Sequence, residues 1–331
     1  MRLSIEPIGP QFRESLKEHL GPFGLPPDIV EWKYFQRPWT DALSGLVWVK
    51  DGRVRGAIGL IPFHVKTGST RVPASWTCDW VVESPQSNPG IGVLLLQRAK
   101  QLAGPLFSLG GNELNRRLMA RIATTSFDDA AIEVYLPLRT GGSRWFRGLN
   151  RRTGGVLRPA AHLPVRRIAG GNRALVVPGV SPAIEAVIES MEAGHPTPLY
   201  TLDYLRWQLE QCPGVESATV LAESPGCAAG ALCWSRMLVA GDWRFALWSN
   251  NCDGEAAGEV LEAVIAYAYA RGGERISVLS SRLDERRLAL FRRRGFVSDE
   301  PGRPLFVTGD VTSTTPLAGL SFLDTDLAYR V

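Results

Sequence analysis

The sequence predicts an α/β protein of two structurally repeated halves, each a mixed, mostly antiparallel sheet flanked by helices. Three observations predict it. Short β-rich runs bounded by tight-turn residues alternate with amphipathic stretches. The order helix, hairpin strands, strand, helix, strand, helix occurs twice, with little residue identity between the copies. The chain of 331 residues, 45% of them hydrophobic, is long enough to bury two ordinary cores. The halves are placed at residues 1–150 and 151–331, joined across a Gly- and Arg-rich stretch at 140–172.

In the first half, Phe12, Leu16 and Leu20 recur four apart and share one face of a helix over residues 11–20, after which a Gly- and Pro-rich loop is expected. Residues 45–49 and 55–61 are strands joined through Asp51-Gly52, a dipeptide suited to a tight hairpin turn. The second strand continues through Phe63-His64-Val65-Lys66 to a turn at Thr67-Gly68-Ser69, and the next covers residues 75–83. Ile91, Leu94, Leu95, Ala99 and Leu102 form one stripe of a helix over 91–102. A strand at 106–109 and a helix at 113–122 follow. In the second half, residues 184–191 read as helix, and 217–223, 228–235 and 243–249 as strands. Val260, Leu261, Val264, Ile265 and Ala268 mark a further amphipathic helix, 276–279 a strand, and 288–294 a helix ending at Gly295-Phe296.

Composition narrows the function classes. A net charge of +4 permits an anionic ligand, but no aromatic residues interleave with the arginine clusters at 116–117, 151–152, 166–167, 286–287 and 292–294 as nucleobase stacking requires. No nucleic-acid partner is expected; the clusters read as solvated faces, at least one of them available to phosphates. The first residues lack the apolar core of a secretory signal, and no later run reaches the ~18 apolar residues of a membrane span. A cytoplasmic protein, monomer or homodimer, is expected. Five cysteines without CxxC spacing are expected to be reduced, mostly buried thiols, with no metal site.

Residues 75–102 carry the most chemistry: a strand, a turn containing Gly90 and Gly92, and a helix. Glycines let the backbone approach a ligand closely, and the unpaired N–H groups at a helix start favour an anion such as a pyrophosphate. Neither the nucleoside-triphosphate pattern GxxxxGK[ST] nor a GxGxxG with a following acidic residue is present.

Val82-x-Ser84, then Ser87-Asn88-Pro89-Gly90-Ile91-Gly92 and an apolar helix, resembles the acyl-CoA motif (Q/R)xxGx(G/A) of the GNAT superfamily of acyltransferases. Leu290-Phe291-Arg292-Arg293-Arg294-Gly295-Phe296 is similar to that superfamily's terminal LYxxxGF run. Glu31-Trp32-Lys33-Tyr34-Phe35 with Pro38, and Asp203-Tyr204-Leu205-Arg206-Trp207, each resemble a W(K/R)(Y/F) signature that opens one half of bacterial tandem GNAT proteins, several of which act on amino sugars. The resemblance spans most of the chain. It implies a first half that binds acetyl-CoA or another acyl-CoA as co-substrate and a second half that shapes the acceptor site. Transfer would be to a primary amine, that of an amino sugar or nucleotide-linked amino sugar in polysaccharide biosynthesis. The cofactor contacts it implies are Val82, Ser84, Ser87, Asn88, Gly90, Ile91, Gly92, Val93 and the strand-to-helix junction at Asn112. Departures are that Ser87 heads the motif, with Gln86 one residue earlier, and that Met119 and Phe291 stand where the family often has a tyrosine acid. The matching turn of the second half, Asn250-Asn251-Cys252-Asp253-Gly254-Glu255, has one glycine and two carboxylates that would repel a pyrophosphate, so one cofactor site is expected.

Acyl transfer from a thioester needs a base, or a water it orders, to take the ammonium proton. Asp79, three residues before Val82 on the same strand, and His64 on the neighbouring strand are the catalytic candidates. Trp32, Tyr34 and Trp80 are candidates for stacking on the acceptor, with core packing as the other reading of each. Strand alternation allows only one of Cys78 and Asp79 to face a cleft. Asp324-Thr325-Asp326 is either a solvated turn or a return to the acceptor site. Two alternatives stay open: a FemABX-like aminoacyl transferase using charged tRNA, and a non-catalytic protein that kept a CoA or acceptor pocket.

Overall fold

The computed structural model describes residues 4–39, 41–139, 174–191, 197–224, 227–236, 239–252, 254–298, 302–309, 317, 320, 321 and 323. The expected connector at 140–172, the boundary at 150, Asp253 and residues 324–326 lie outside them.

The first half runs β1 (Ser4–Pro7), α1 (Arg13–Leu20), α2 (Pro27–Phe35), β2 (Gly45–Lys50), β3 (Arg53–Thr67), β4 (Thr70–Val82), α3 (Ile91–Ala103), β5 (Leu106–Leu109), α4 (Glu113–Ile122) and β6 (Thr125–Pro137). The second runs β7 (Leu175–Pro178), α5 (Ala183–Ser190), β8 (Thr197–Leu199), α6 (Leu202–Leu209), β9 (Ser217–Ser224), β10 (Cys227–Ser235), β11 (Asp242–Ser249), α7 (Glu255–Ala270), β12 (Arg275–Ser281), α8 (Glu285–Arg293) and β13 (Arg303–Thr308). The stretch after α1 is not all loop. Pro27 occupies the first turn of α2, where its missing N–H leaves no bond unmade. On α3, Leu94 and Leu102 face solvent and Leu96 takes a core place with Ile91, Leu95 and Ala99.

All strands join one mixed sheet, in the order β1-β2-β3-β4-β5-β13-β6-β12-β11-β10-β9-β7, with β8 added to β3. The order is a palindrome: β1 to β5 on one flank answer β7, β9, β10, β11 and β12 on the other. At the centre the last strands are exchanged, because β13 pairs with β5 and β6 pairs with β12. The exchange leaves neither β5 nor β12 as an open edge. Helices α1, α2, α5 and α6 cover one face, called the front here, and α3, α4, α7 and α8 cover the back.

The front core crosses from one half to the other. Trp32 on α2 and Trp207 on α6 stack with centroids 4.6 Å apart. Each indole donates to the other's backbone carbonyl, Trp32 Nε1 to Trp207 O at 2.9 Å and Trp207 Nε1 to Trp32 O at 3.5 Å. Both rings are fully buried, so each indole N–H needs the partner the other's carbonyl supplies. All five cysteines are buried and none forms a disulfide. Burial pushes the Cys212 thiol up to about 12. No described helix is long and apolar enough to cross a membrane.

The reciprocal pair predicts coupling between halves. Trp32→Ala and Trp207→Ala should each destabilise by about 3–5 kcal/mol, and the double variant should lose about 1 kcal/mol less than the sum. Urea unfolding of the four proteins measures it, and strict additivity would show that the rings do not cooperate.

Candidate functional site

β4 and β5 run parallel but pair only at Ser75–Leu106 and Trp76–Phe107. Thr77 Oγ1 closes the last contact, donating to Phe107 O at 3.2 Å and meeting Ser108 Oγ. Beyond it the strands part, β4 held by β3 and β5 held along its whole length by β13. The β5-facing edge of β4 over residues 78–82 therefore carries no strand.

A bulge helps to open this gap. Ala57 pairs with Val81 and Gly59 with Cys78, so Asp79 and Trp80 together stand opposite Ile58. Asp79 takes φ +45°, a left-handed conformation for a residue with a side chain. The extra residue breaks the expected alternation: Cys78 and Asp79 both face the front. Cys78 packs into the front core, and Asp79 accepts hydrogen bonds from Lys33 Nζ and, at 2.6 Å, from Tyr34 Oη, both on α2. All three side chains are buried.

After β4 the chain closes a compact loop. Ser84 O accepts from Ser87 N at 2.9 Å and Asn88 N at 3.1 Å, and Asn88 Nδ2 donates to Glu83 O and Ser84 O, both at 3.2 Å. Gly90, at φ +86°, then starts α3, with open space where a Cβ would stand. The helix has no side-chain cap and no acidic residue in its first turn. Leu94 N is the first amide to bond back to the α3 start, to Gly90 O at 3.0 Å, so the amides of Gly92 and Val93 precede the helical ladder, where a helix start favours an anion. A Cβ on Gly92 would meet the Trp80 indole at 3.4 Å, an ordinary contact. Ile91 is buried in the core under α3. Across the gap, Asn112 caps α4 by accepting from Asn115 N at 2.8 Å.

Several expected roles are corrected by this geometry. His64 is exposed on β3 opposite Pro73 and Leu199, six residues from Ile58 at the bulge. At ~3.3 Å per residue it lies roughly 20 Å along the strand from the cleft, too far for a base. Asp79 has no exposed side-chain surface and already receives an ammonium and a phenol, so no lone pair is presented to an incoming amine. Trp32 is enclosed against Trp207, and Tyr34 is spent on Asp79, so neither reaches an acceptor. Trp80 Nε1 donates to Gly92 O at 3.2 Å, which makes its indole a brace for α3 rather than a stacking platform. Asn88 ties the loop together with its side chain. Sequence reading missed Lys33 and Thr77. The first is a lysine inside an apolar helix stretch, a visible oddity, whereas nothing local marks the second.

In the second half, β11 and β12 also part, after Phe245–Val278. There the turn is closed by the β9–β10 hairpin: Ala228 N donates to Asn250 Oδ1 at 3.1 Å, and Cys227 Sγ donates to Asn251 O at 3.5 Å. Glu255 opens α7, and a Cβ on Gly254 would stand 2.8 Å from Cys227 Sγ.

No family model matches the chain, and no curated protein matches it. Solved structures do. A GCN5-related N-acetyltransferase from Anabaena variabilis superposes with TM-score 0.57 at 10% identity, over 92% of this chain and 72% of that one. A tandem GNAT protein from the clavulanic acid biosynthesis pathway superposes with TM-score 0.55 at 16% identity, over 92% of this chain and 97% of that one. The fold is the tandem GNAT fold. Saccharomyces cerevisiae N-myristoyltransferase, with bound myristoyl-CoA and inhibitors, shares it at TM-score 0.56 and 10% identity, over 96% of this chain and 86% of that one. At identities this low, the superpositions show a shared fold.

The buried charge pair sets the prediction for Asp79. Asp79→Asn leaves the Lys33 ammonium buried without its countercharge and should cost about 3–5 kcal/mol of stability, while Asp79→Asn with Lys33→Met should restore much of it. Denaturant melts measure both. An Asp79→Asn protein of wild-type stability with turnover reduced about a hundredfold would return Asp79 to the role of base.

Proposed function

We propose that the protein is an acyl-CoA-dependent N-acyltransferase whose co-substrate lies in the first-half cleft. The observation that carries this reading is the parting of β4 from β5 beside the uncapped, acid-free start of α3. An extended amide chain such as pantetheine fits the strand-free edge of β4, where backbone N–H and C=O groups replace the missing neighbour. The pyrophosphate fits the amides of Gly92 and Val93, with Gly90 leaving room for close approach and the residues from Ser84 to Asn88 forming the loop below. The parent reaction exchanges a thioester C–S bond for an amide C–N bond and releases the CoA thiol. Backbone N–H groups along the open edge of β4 would stabilise the negative charge that develops on the carbonyl oxygen. With Asp79 and His64 both elsewhere, the amine enters neutral or gives its proton to water in the cleft.

The acceptor is a primary amine, and the resemblance of the two tryptophan-containing segments supports an amino sugar, free or nucleotide-linked, in polysaccharide biosynthesis. The second half shapes the acceptor pocket without a cofactor of its own, since its turn is packed against Cys227 and begins α7 with Glu255. The division at residue 150 marks two units that act as one body, because each keeps the other's last strand. A protein working in the cytoplasm, with acyl-CoA at hand, suits this reading.

Acetyl-CoA and longer acyl-CoAs at a hundred times their Kd should add about 2.7 kcal/mol to folding and raise the melting temperature by several degrees. Val93→Asp places a carboxylate in the first turn of α3, which favours the helix but repels a pyrophosphate, and should weaken acyl-CoA binding at least tenfold. Glu255→Gln at the matching start of α7 should leave it unchanged. Thiol release with a panel of amines reports turnover, and an unmoved melt with every acyl-CoA would sink the assignment.

A further inference from the structure

The back of the first half carries a face that neither the core nor the cleft uses. Between Glu83 and Asp128 the sequence holds five cations, Arg98, Lys100, Arg116, Arg117 and Arg121, and one carboxylate, Glu113. All six lie on α3 and α4, and all are exposed. Five cations against one carboxylate leave a balance of +4, which equals the net charge of the whole chain. By contrast α7, on the back of the second half, carries Glu255, Glu259 and Glu262 and no cation. Glu113 is shared by Arg116 at 3.0 Å and Arg117 at 2.8 Å, and among the described residues Arg98, Lys100 and Arg121 form no ion pair.

Three leucines stand among these charges. Leu94 and Leu102 are 45% and 46% exposed, and Leu114 is 64% exposed; no other leucine among the described residues of the first half is exposed. Along α3, Leu94, Arg98 and Leu102 follow four apart, and along α4, Leu114, Arg117 and Arg121 follow three and four apart, so each set runs down one side of its helix. The inner sides, Leu95, Leu96 and Ala99 on α3 and Met119 and Ile122 on α4, enter one core, so both outer sides look away from the sheet. Because β4 and β5 are parallel and lead into α3 and α4, both helices start at the cleft end of the sheet. Single exposed leucines are ordinary, but leucines set between cations that outnumber their carboxylate mark a binding face.

We propose that this face docks on an anionic lipid surface, with the leucines entering the headgroup region and the cations meeting lipid phosphates. Either signal alone holds a protein weakly; together they give stable peripheral binding. The charges are spread along both helices rather than drawn into one notch, which suits a plane of mobile headgroups better than a single folded acidic partner. Neither helix contains an aromatic side chain on which a nucleobase could stack. The surface stands apart from the acyl-transfer reading, since none of its side chains enters that reaction, but docking would set the cleft mouth at the lipid boundary.

Flotation of the full-length protein with vesicles tests this. Vesicles of phosphatidylcholine and phosphatidylglycerol in equal parts should carry the protein, vesicles of phosphatidylcholine alone should not, and added salt should weaken the binding. Each cation removed should cost about fivefold in affinity, so Arg98→Gln combined with Arg121→Gln should lose more than about tenfold. Arg71→Gln removes the same kind of charge at the β3–β4 turn and should change little. Leu94→Gln combined with Leu102→Gln should lose about tenfold while keeping the salt dependence. All these positions are exposed, and a cooperative melt shows that each variant folds. Binding to neither vesicle, equal binding to both, or indifference to either double variant would overturn the proposal. So would an Arg71→Gln loss as large as that of the paired arginines, which would reduce the effect to net charge. Vesicle binding abolished by saturating CoA would give the face to the cofactor instead, and single-stranded RNA bound by the same cations without lipid binding would give it to nucleic acid; each also overturns it.

Discussion

The pairing of β13 with β5 is the constraint on which the cleft depends. β5 has four residues, and β4 supports only two of them before turning away. A parallel contact that short would leave β5 poorly held, because marginal strands need neighbours on both sides. β13 supplies the missing side by bonding to β5 from Leu106 to Leu109, so β4 can leave without the sheet coming apart. The partners are on the order of 200 residues apart in sequence, and loop closure over such a length costs only slowly more than over a shorter one. The fold accepts that cost twice, once for each exchanged strand. In return, one half cannot lose its sheet without exposing an edge in the other.

The front face adds a second lock. The bulge puts Asp79 at a backbone conformation that costs about 1–3 kcal/mol and persists only where surroundings over-determine it. Here Lys33 and Tyr34, adjacent on α2, both converge on its carboxylate, and Tyr34 Oη sits against Gly59, where a side chain would displace it. Trp32, the residue before Lys33, turns the other way and meets Trp207. One turn of α2 therefore fixes both the bend of β4 and the contact between halves. This explains a lysine in a segment otherwise suited to a core: burying it is tolerable only because its partner lies on the bulge it maintains.

Local pattern made much of the first half readable. The Asp51-Gly52 hairpin, the Gly90 turn and the α3 helix follow from backbone preferences within a few residues, and the structure has them where the pattern places them. The reading faltered where neighbours far away decide. Leu94 looks like a core residue by spacing, yet the back of the sheet meets α3 through Leu96 instead. β6 carries an irregularity near Asp129, which has φ +62° and spoils the alternation expected of a strand. Asp79 was visible as a carboxylate on the right strand, but alternation said nothing of the extra residue that turns it toward α2. The strand exchange has no local signature, and the strand that carries it, Arg303–Thr308, is not among the elements the sequence pattern marked.

The palindrome makes the difference between the halves a matter of side chains rather than topology. Both have parting parallel strands, and in each pair a helix connects the first strand to the second. In the first half that helix begins with an open glycine and no acid; in the second it begins with Glu255 beneath a packed hairpin. Across the front face, Arg236, Arg244, Arg275 and Arg303 all come from the second half, while Glu133, which accepts from Arg275 and Arg303, comes from the first. Without the exchange, Arg303 would remain with its own half's sheet. With it, Arg303 stands one strand from β5, at the edge of the first half's cleft. A single half would have β5 without the strand that holds it, so β4 can leave β5 in the first half only because the second half's last strand is there.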